Sequence, residues 1–322
     1  MNIFQIISEI EKVDPEVYER LDSRRSIFKH MSGLGQKLTA AAVPLALGAV
    51  LNKAYAQTPM GASVGDVLNF ALGLEYLEMY FYQKGQGTAA LQAGFSATNK
   101  SALDLIATDE RNHVTFLRAA ITAATLTPIA DPGAATFDFT GGKGNGAGPL
   151  AAVFTDPNTY LAVAQSLEDT GVRAYKGGAP LLMSNKDVLT AALNIHSVEA
   201  RHASRLRTMR RGGPTNNMAS QGVSTNLNTS PKSWISGTDN GGAAPAITAG
   251  IYGPGNNTGA PAGVTFEAES NVTQGGVNLQ TALASFMLPA SAFTEAFDEA
   301  LDVTTVKTIA RTFVVTGSSF LA

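Results

Sequence analysis

The sequence predicts an all-α fold: a four-helix bundle with a long crossover between its second and third helices, followed by an irregular C-terminal extension. Three observations carry this. Apolar residues recur at spacings of three and four through four separate stretches, the signature of amphipathic helices. A connection rich in Gly and Pro, Thr127 to Thr155, divides those stretches into two pairs, as one class of four-helix bundle requires. Glu-x-x-His occurs twice, as Glu110-Arg111-Asn112-His113 and Glu199-Ala200-Arg201-His202, once in each pair.

The first helix is expected from Ser63 to Lys84, ending at Gly85, with Val67, Phe70, Leu74, Leu77 and Phe81 on its apolar face. The second spans Asn99 to Ala124 and stops before Pro128. The third opens at Asp156-Pro157, a capping aspartate followed by proline in the first turn, and closes near Gly177-Gly178. The fourth runs from Ser184 to Arg211, with Gly212-Gly213-Pro214 as its stop. Residues 57–212 are thus the bundle. From 213 to about 276, Gly, Asn, Thr and Ser dominate, with Trp234, Tyr252 and Phe266 as scattered anchors. Helical pattern returns at Val277–Ser285 and Val303–Phe313, so residues 213–322 read as an extension packed on the bundle, with short strands allowed.

The front of the chain reads differently. Ser23-Arg24-Arg25-Ser26-Ile27-Phe28-Lys29 fits the twin-arginine export pattern, Leu38–Leu51 is mildly apolar, and Ala54-Tyr55-Ala56 is a small-x-small cleavage site. Residues 1–56 are therefore expected to be a twin-arginine signal cleaved near Gln57, the alternatives being an N-terminal helix kept as an anchor or a chance arginine pair, with a periplasmic or cell-envelope destination and no membrane span after cleavage. Residues 1–56 hold seven Lys/Arg and six Asp/Glu, which leaves 16 basic and 20 acidic residues and a net charge of −4. No basic patch suggests nucleic acid. Arg205, Arg207, Arg210 and Arg211 read as cations at a helix C-terminus, where they suit the dipole. The absence of cysteine excludes disulfides, iron–sulfur clusters and thiolate zinc sites, leaving oxygen and nitrogen ligands.

A spacing of i, i+3 sets a carboxylate and an imidazole one turn apart on one helical face. Upstream of each Glu-x-x-His stands a glutamate with a tyrosine seven residues on: Glu75 with Tyr82, and Glu168 with Tyr175. Seven residues is close to two turns, so each pair shares a face. The chain therefore carries the same half-site twice. Glu75, Glu110, His113, Glu168, Glu199 and His202 are the candidate metal ligands; two of the three histidines beyond residue 56 fall among them. Apolar neighbours Leu74, Leu77, Ile106, Leu167 and Val198 place these glutamates in a core, where unpartnered carboxylates are costly. Glu78, one turn from Glu75, either replaces it or adds a seventh ligand, and the repeated spacing favours Glu75. Tyr82 and Tyr175 either hydrogen-bond the ligand glutamates across the bundle or simply pack. Asp109 either accepts the outer N–H of His202 or is a solvated charge, and His196 is a surface or core histidine.

The stretches Leu72–Glu78, Asp109–His113, Leu167–Tyr175 and Ser197–His202 resemble the ferritin-like domain of desiccation-associated proteins, and Ala296-Phe297-Asp298-Glu299 fits the same family. The resemblance covers roughly residues 60–212 well and the last third in patches. It implies a ferritin-like bundle holding two iron or manganese ions. By analogy, Glu110 and Glu199 bridge them, Glu75 and His113 complete one, and Glu168 and His202 the other. Without a clean short fifth helix, and with this tail, a hollow 24-subunit cage is not expected; smaller homo-oligomers stay open. Peroxide and dioxygen are the expected small-molecule partners. Three functions stand open: an oxidoreductase of catalase or ferroxidase type, a protein that sequesters metal without turnover, and a structural protein of desiccation or envelope stress.

Overall fold

A computed structural model describes residues 63–216, 222–258, 260 and 264–322. The export signal and cleavage site expected within 1–56 lie outside them. Four long helices form the bundle: α1 (Val64–Gln86), α2 (Ala97–Ala123), α3 (Pro157–Gly178) and α4 (Lys186–Gly212). α1 packs chiefly on α2 and α3 on α4, with α1 against α3 and α2 against α4 closing the square. No helix among the described residues is long and apolar enough to cross a membrane.

Local chemistry sets the helix ends. Ser63 and Asp66 form a reciprocal capping box, Asp66 N donating to Ser63 Oγ (3.1 Å) and Ser63 N to Asp66 Oδ2 (2.8 Å). Asp156 caps α3 by accepting from the backbone of Asn158 and Thr159, with Pro157 in the first turn as expected. The second helix begins earlier than its apolar pattern suggests, because Ser96 accepts from Asn99 N at 3.2 Å. α4 begins slightly late because Asn185, rather than Ser184, is the cap. A one-turn helix, Ala89–Gln92, joins α1 to α2.

The long crossover packs against the bundle rather than looping free. Phe137, Phe139, Leu150 and Val153 are buried in the core shared with α1 and α3. The C-terminal segment stitches it down: Asp138 N donates to Phe313 O (2.8 Å) and Val315 N to Thr136 O (3.0 Å). Among its described residues the extension adds two eight-residue helices, α5 (Pro245–Tyr252) and α6 (Val303–Ala310), both against α3, the shorter helix Ala290–Thr294, and a hairpin of two-residue strands, Thr273–Gln274 with Val277–Asn278. α5 falls where the sequence suggested only scattered anchors. Its signals, Pro245 in the first turn and Gly253 after the last, are short-range and easily lost among neighbouring glycines. The expected helix at Val277–Ser285 is reduced to the turn Leu279–Ala282 and the 3-10 turn Ala284–Phe286.

The arginines stand at the C-terminal end of α4, as expected, with Arg210 and Arg211 in its last turn. They also make contacts that the sequence did not reveal. Arg207 and Arg211 are buried, and Arg207 bridges Asp169 of α3 and Asp239 of the extension. Arg210 donates to Gln165 Oε1 and Asn228 O, Arg211 to Pro231 O, and Arg205 to Asn99 Oδ1. On α3, Arg173 is wholly buried and donates to the carbonyls of Ile251, Gly253, Glu267 and Glu299 while pairing with Glu269 at 2.8 Å. All but Arg205, which ties α4 to α2, bind the extension to the bundle.

Candidate metal centre

Each of the four helices turns one carboxylate-bearing face to the bundle axis at the same level. Glu75 comes from α1, Glu110 and His113 from α2, Glu168 from α3, Glu199 and His202 from α4. All six are buried, and the four glutamates are wholly inaccessible. Their ligand atoms form two overlapping groups, Glu75–Glu110–His113–Glu199 and Glu110–Glu168–Glu199–His202, each within 4.8 Å. The groups share Glu110 and Glu199. Glu110 turns Oε2 to His113 Nδ1 (3.2 Å) and Oε1 to His202 Nδ1 (2.9 Å). Glu199 likewise turns Oε1 to His113 (3.1 Å) and Oε2 to His202 (3.6 Å). Glu75 meets only the first imidazole (3.1 Å), and Glu168 only the second (3.2 Å).

Protein hydrogen bonds alone do not satisfy this arrangement. His113 Nδ1 faces carboxylate oxygens of Glu75, Glu110 and Glu199, yet a ring nitrogen carries at most one proton. His202 Nδ1 faces three as well. Both oxygens of Glu199, and Oε1 of Glu110, are buried and make no well-directed hydrogen bond, although an imidazole nitrogen lies 2.9–3.6 Å from each. Buried orphan acceptors of this kind are costly and rare. Oxygen and imidazole donors converging on two shared carboxylates are compatible with metal ions, which would satisfy every orphan at once.

The electrostatics agree. Burial, then repulsion by Glu199, pushes the Glu75 carboxyl up, and burial with repulsion by four glutamates does the same to Glu78. Burial raises Glu168 to about 7 despite His202. Burial disfavours charge on His113 and His202, but the surrounding carboxylates outweigh it and raise both. On Glu199 the imidazoles win over burial and Glu110, and its carboxyl is lowered. Without cations, the centre holds its charge down with protons.

The two tyrosines reach across the bundle. Tyr82 of α1 donates to Glu168 Oε1 of α3, and Tyr175 of α3 donates to Glu75 Oε1 of α1. Burial and the facing carboxylate raise both phenols, which keeps them protonated donors. Asp109 Oδ2 lies 3.2 Å from His202 Nε2, on the far side of the ring from the cage. Glu78 is buried beside the cage but outside both ligand groups, and with Gly171 it lines a cavity of about 10 Å³. His196 lies apart, half-buried against the backbone of Val172.

Sequence reasoning missed Gly171. It occupies the place in the second half-site that Glu78 holds in the first: 78 to 171 is the same 93-residue step as 75 to 168. A Cβ there would sit 3.4 Å from Glu78 Oε1 and 3.6 Å from Glu199 Cγ. The repeat offset would have exposed this pairing.

Residues 63–211 match the family model described as a ferritin-like domain, a span that covers the four helices and stops where the extension begins. No curated protein matches the sequence.

Proposed function

We propose that the ferritin-like domain of residues 63–211 holds two iron or manganese ions and uses them on peroxide or dioxygen, as an exported stress protein of the desiccation-associated branch. One observation carries the two-ion reading: Glu110 and Glu199 each direct their two oxygens to different imidazoles, so two ligand groups share two bridging carboxylates. Glu75 and His113 would complete one ion, Glu168 and His202 the other. Four glutamates and two divalent ions then sum to no net charge in a buried site.

Two redox-active ions held by these residues would provide two-electron chemistry toward a small oxidant. The protein's own groups do the rest. Tyr82 and Tyr175 orient Glu168 and Glu75 through donated hydrogen bonds, and Asp109 holds the outer nitrogen of His202. Glu78, its carboxyl raised by burial, stands as a proton store beside the cage. The cavity between Glu78 and Gly171 has room for about one water. Export through the twin-arginine route, supported by Arg24-Arg25 and Ala54-Tyr55-Ala56, would deliver the bundle folded and loaded.

The test is metal content in protein purified from its own export route, beside a Glu110→Ala/Glu199→Ala variant. About two iron or manganese ions per chain, absent from the variant, is the expected result. Peroxide turnover lost with the metal would establish the enzyme; metal without turnover would leave a sequestering protein. Less than about a tenth of an equivalent, with the variant melting unchanged, would overturn the metal reading.

A further inference from the structure

Among the described residues, the bundle is filled at one end and leaves an apolar pocket at the other. The hollow end is where α1 and α4 begin and α2 and α3 end. Its cavity measures about 200 Å³ and is lined almost wholly by carbon, with Asp187 and the half-exposed Phe116 at its rim. Tyr175 forms part of the wall, its ring in the cavity and its hydroxyl turned away to Glu75.

The internal repeat shows where the space comes from. Glu75 to Glu168 and Tyr82 to Tyr175 are steps of 93 residues; Glu110 to Glu199 and His113 to His202 are steps of 89. Under those steps, Val67, Ala174, Ala120 and Ala192 of the hollow end correspond to Tyr160, Phe81, Met209 and Leu103 of the other. There Phe81 stacks on Tyr160 at 4.7 Å and 12°, with Phe95 and Phe154 against the same ring. Four large side chains close one end; three alanines and a valine leave the other open. The pocket opens to solvent beside Phe116 and Asp187, and its volume exceeds the roughly 150 Å³ of an apolar cavity that binds benzene.

We propose that this cavity is a binding site for an uncharged apolar molecule about the size of one aromatic ring, held against Tyr175. The wall offers such a ligand dispersion contacts and no hydrogen bond, so a polar or charged molecule of equal size is rejected by desolvation. The volume is too small for a helix and suits a small molecule. None of the six proposed metal ligands lines the wall, so binding does not require metal.

Toluene titrated into purified protein tests this, followed by calorimetry and by melting temperature. Saturable one-to-one binding and a melting temperature raised by about 2 °C or more are expected. Ala120→Met/Ala192→Leu, which copies the filled end, should weaken binding about tenfold or more while holding or raising stability without toluene. If the double variant fails to fold, Ala120→Met alone decides by the same criterion. Stripping metal with a chelator should leave toluene binding in place, which separates this proposal from the metal reading. Absence of saturable binding, unchanged affinity in a folded filled variant, or binding that disappears with the metal would each overturn it.

Discussion

Glu78 is a buried carboxylate with no counterpart in the second half-site, and its consequences are electrostatic. With Glu78 the centre holds five carboxylates, so two divalent ions leave one negative charge, which a proton on Glu78 cancels. Burial, the largest cause of its raised carboxyl, persists when ions neutralise the neighbouring glutamates. Glu75 differs, since it lies within a ligand group and Tyr175 holds its other oxygen. Glu75→Gln should therefore weaken metal binding about 10- to 100-fold or more, and Glu78→Gln much less. Competitive metal titration of the two variants decides it; equal losses would make Glu78 a ligand. A second asymmetry concerns the imidazoles. Asp109 supports His202, but the residue one repeat step away, beside Glu199, is Val198. Asp109→Ala should weaken one of the two ions by about 10-fold or more and leave the other near its original affinity. A titration that loses both ions together would refute this division of roles.

At the scale of elements, the join between α3, α4 and the extension rests on buried charge. Arg207 lies between Asp169 and Asp239, and Tyr252 of α5 donates to Asp169 Oδ2 at 2.6 Å. Removing one partner of such a cluster strands the others without solvent. Arg207→Met should destabilise the protein by about 3–5 kcal/mol, read from denaturant unfolding, and should loosen α5 first in hydrogen exchange. A loss below about 1 kcal/mol would mean that the two aspartates find water. The same cluster shows where sequence reading stops. The bundle helices were legible because apolar period, capping residues and Glu-x-x-His spacing are local signals that reinforce one another. The six clustered residues were legible for the same reason, doubled by the repeat. The role of Arg207 was not, because its second aspartate lies 32 residues away beyond a helix stop, and a helix-end arginine reads the same whether solvated or buried. α5 and the hollow end of the bundle were hidden similarly, since both depend on packing between segments distant in the chain.

Across the whole molecule, proton binding at the centre gives stability and metal affinity opposite dependences on pH. A Glu raised from its ordinary 4.5 to about 7, as Glu168 is, binds more protons folded than unfolded between those values. Stability then falls as pH rises through that window. Glu75 and Glu78 are raised too and act in the same direction. His113 and His202, raised above their ordinary 6.5, contribute stability that is full below 6.5 and is lost as pH rises toward their folded values. Within the centre only the lowered Glu199 acts oppositely, and its window lies below 4.5; outside it His196, lowered by burial, opposes the trend just below 6.5. Metal-free protein should therefore lose melting temperature between about pH 5 and 7.5. Loaded protein should not follow, because ions take the place of those protons and bind more tightly as the ligands deprotonate. Titrating groups elsewhere, such as Glu269 in the extension, raised to about 8 by burial, are common to both forms and cancel in the difference. The gap between loaded and metal-free melting temperatures should widen from about pH 5 to 7.5, by several degrees if the ions are bound about 100-fold above their dissociation constants. Thermal scans at matched ionic strength, with and without manganese, measure that gap directly. A gap that stays constant or narrows would mean that the buried carboxylates and imidazoles are not the groups the ions displace protons from.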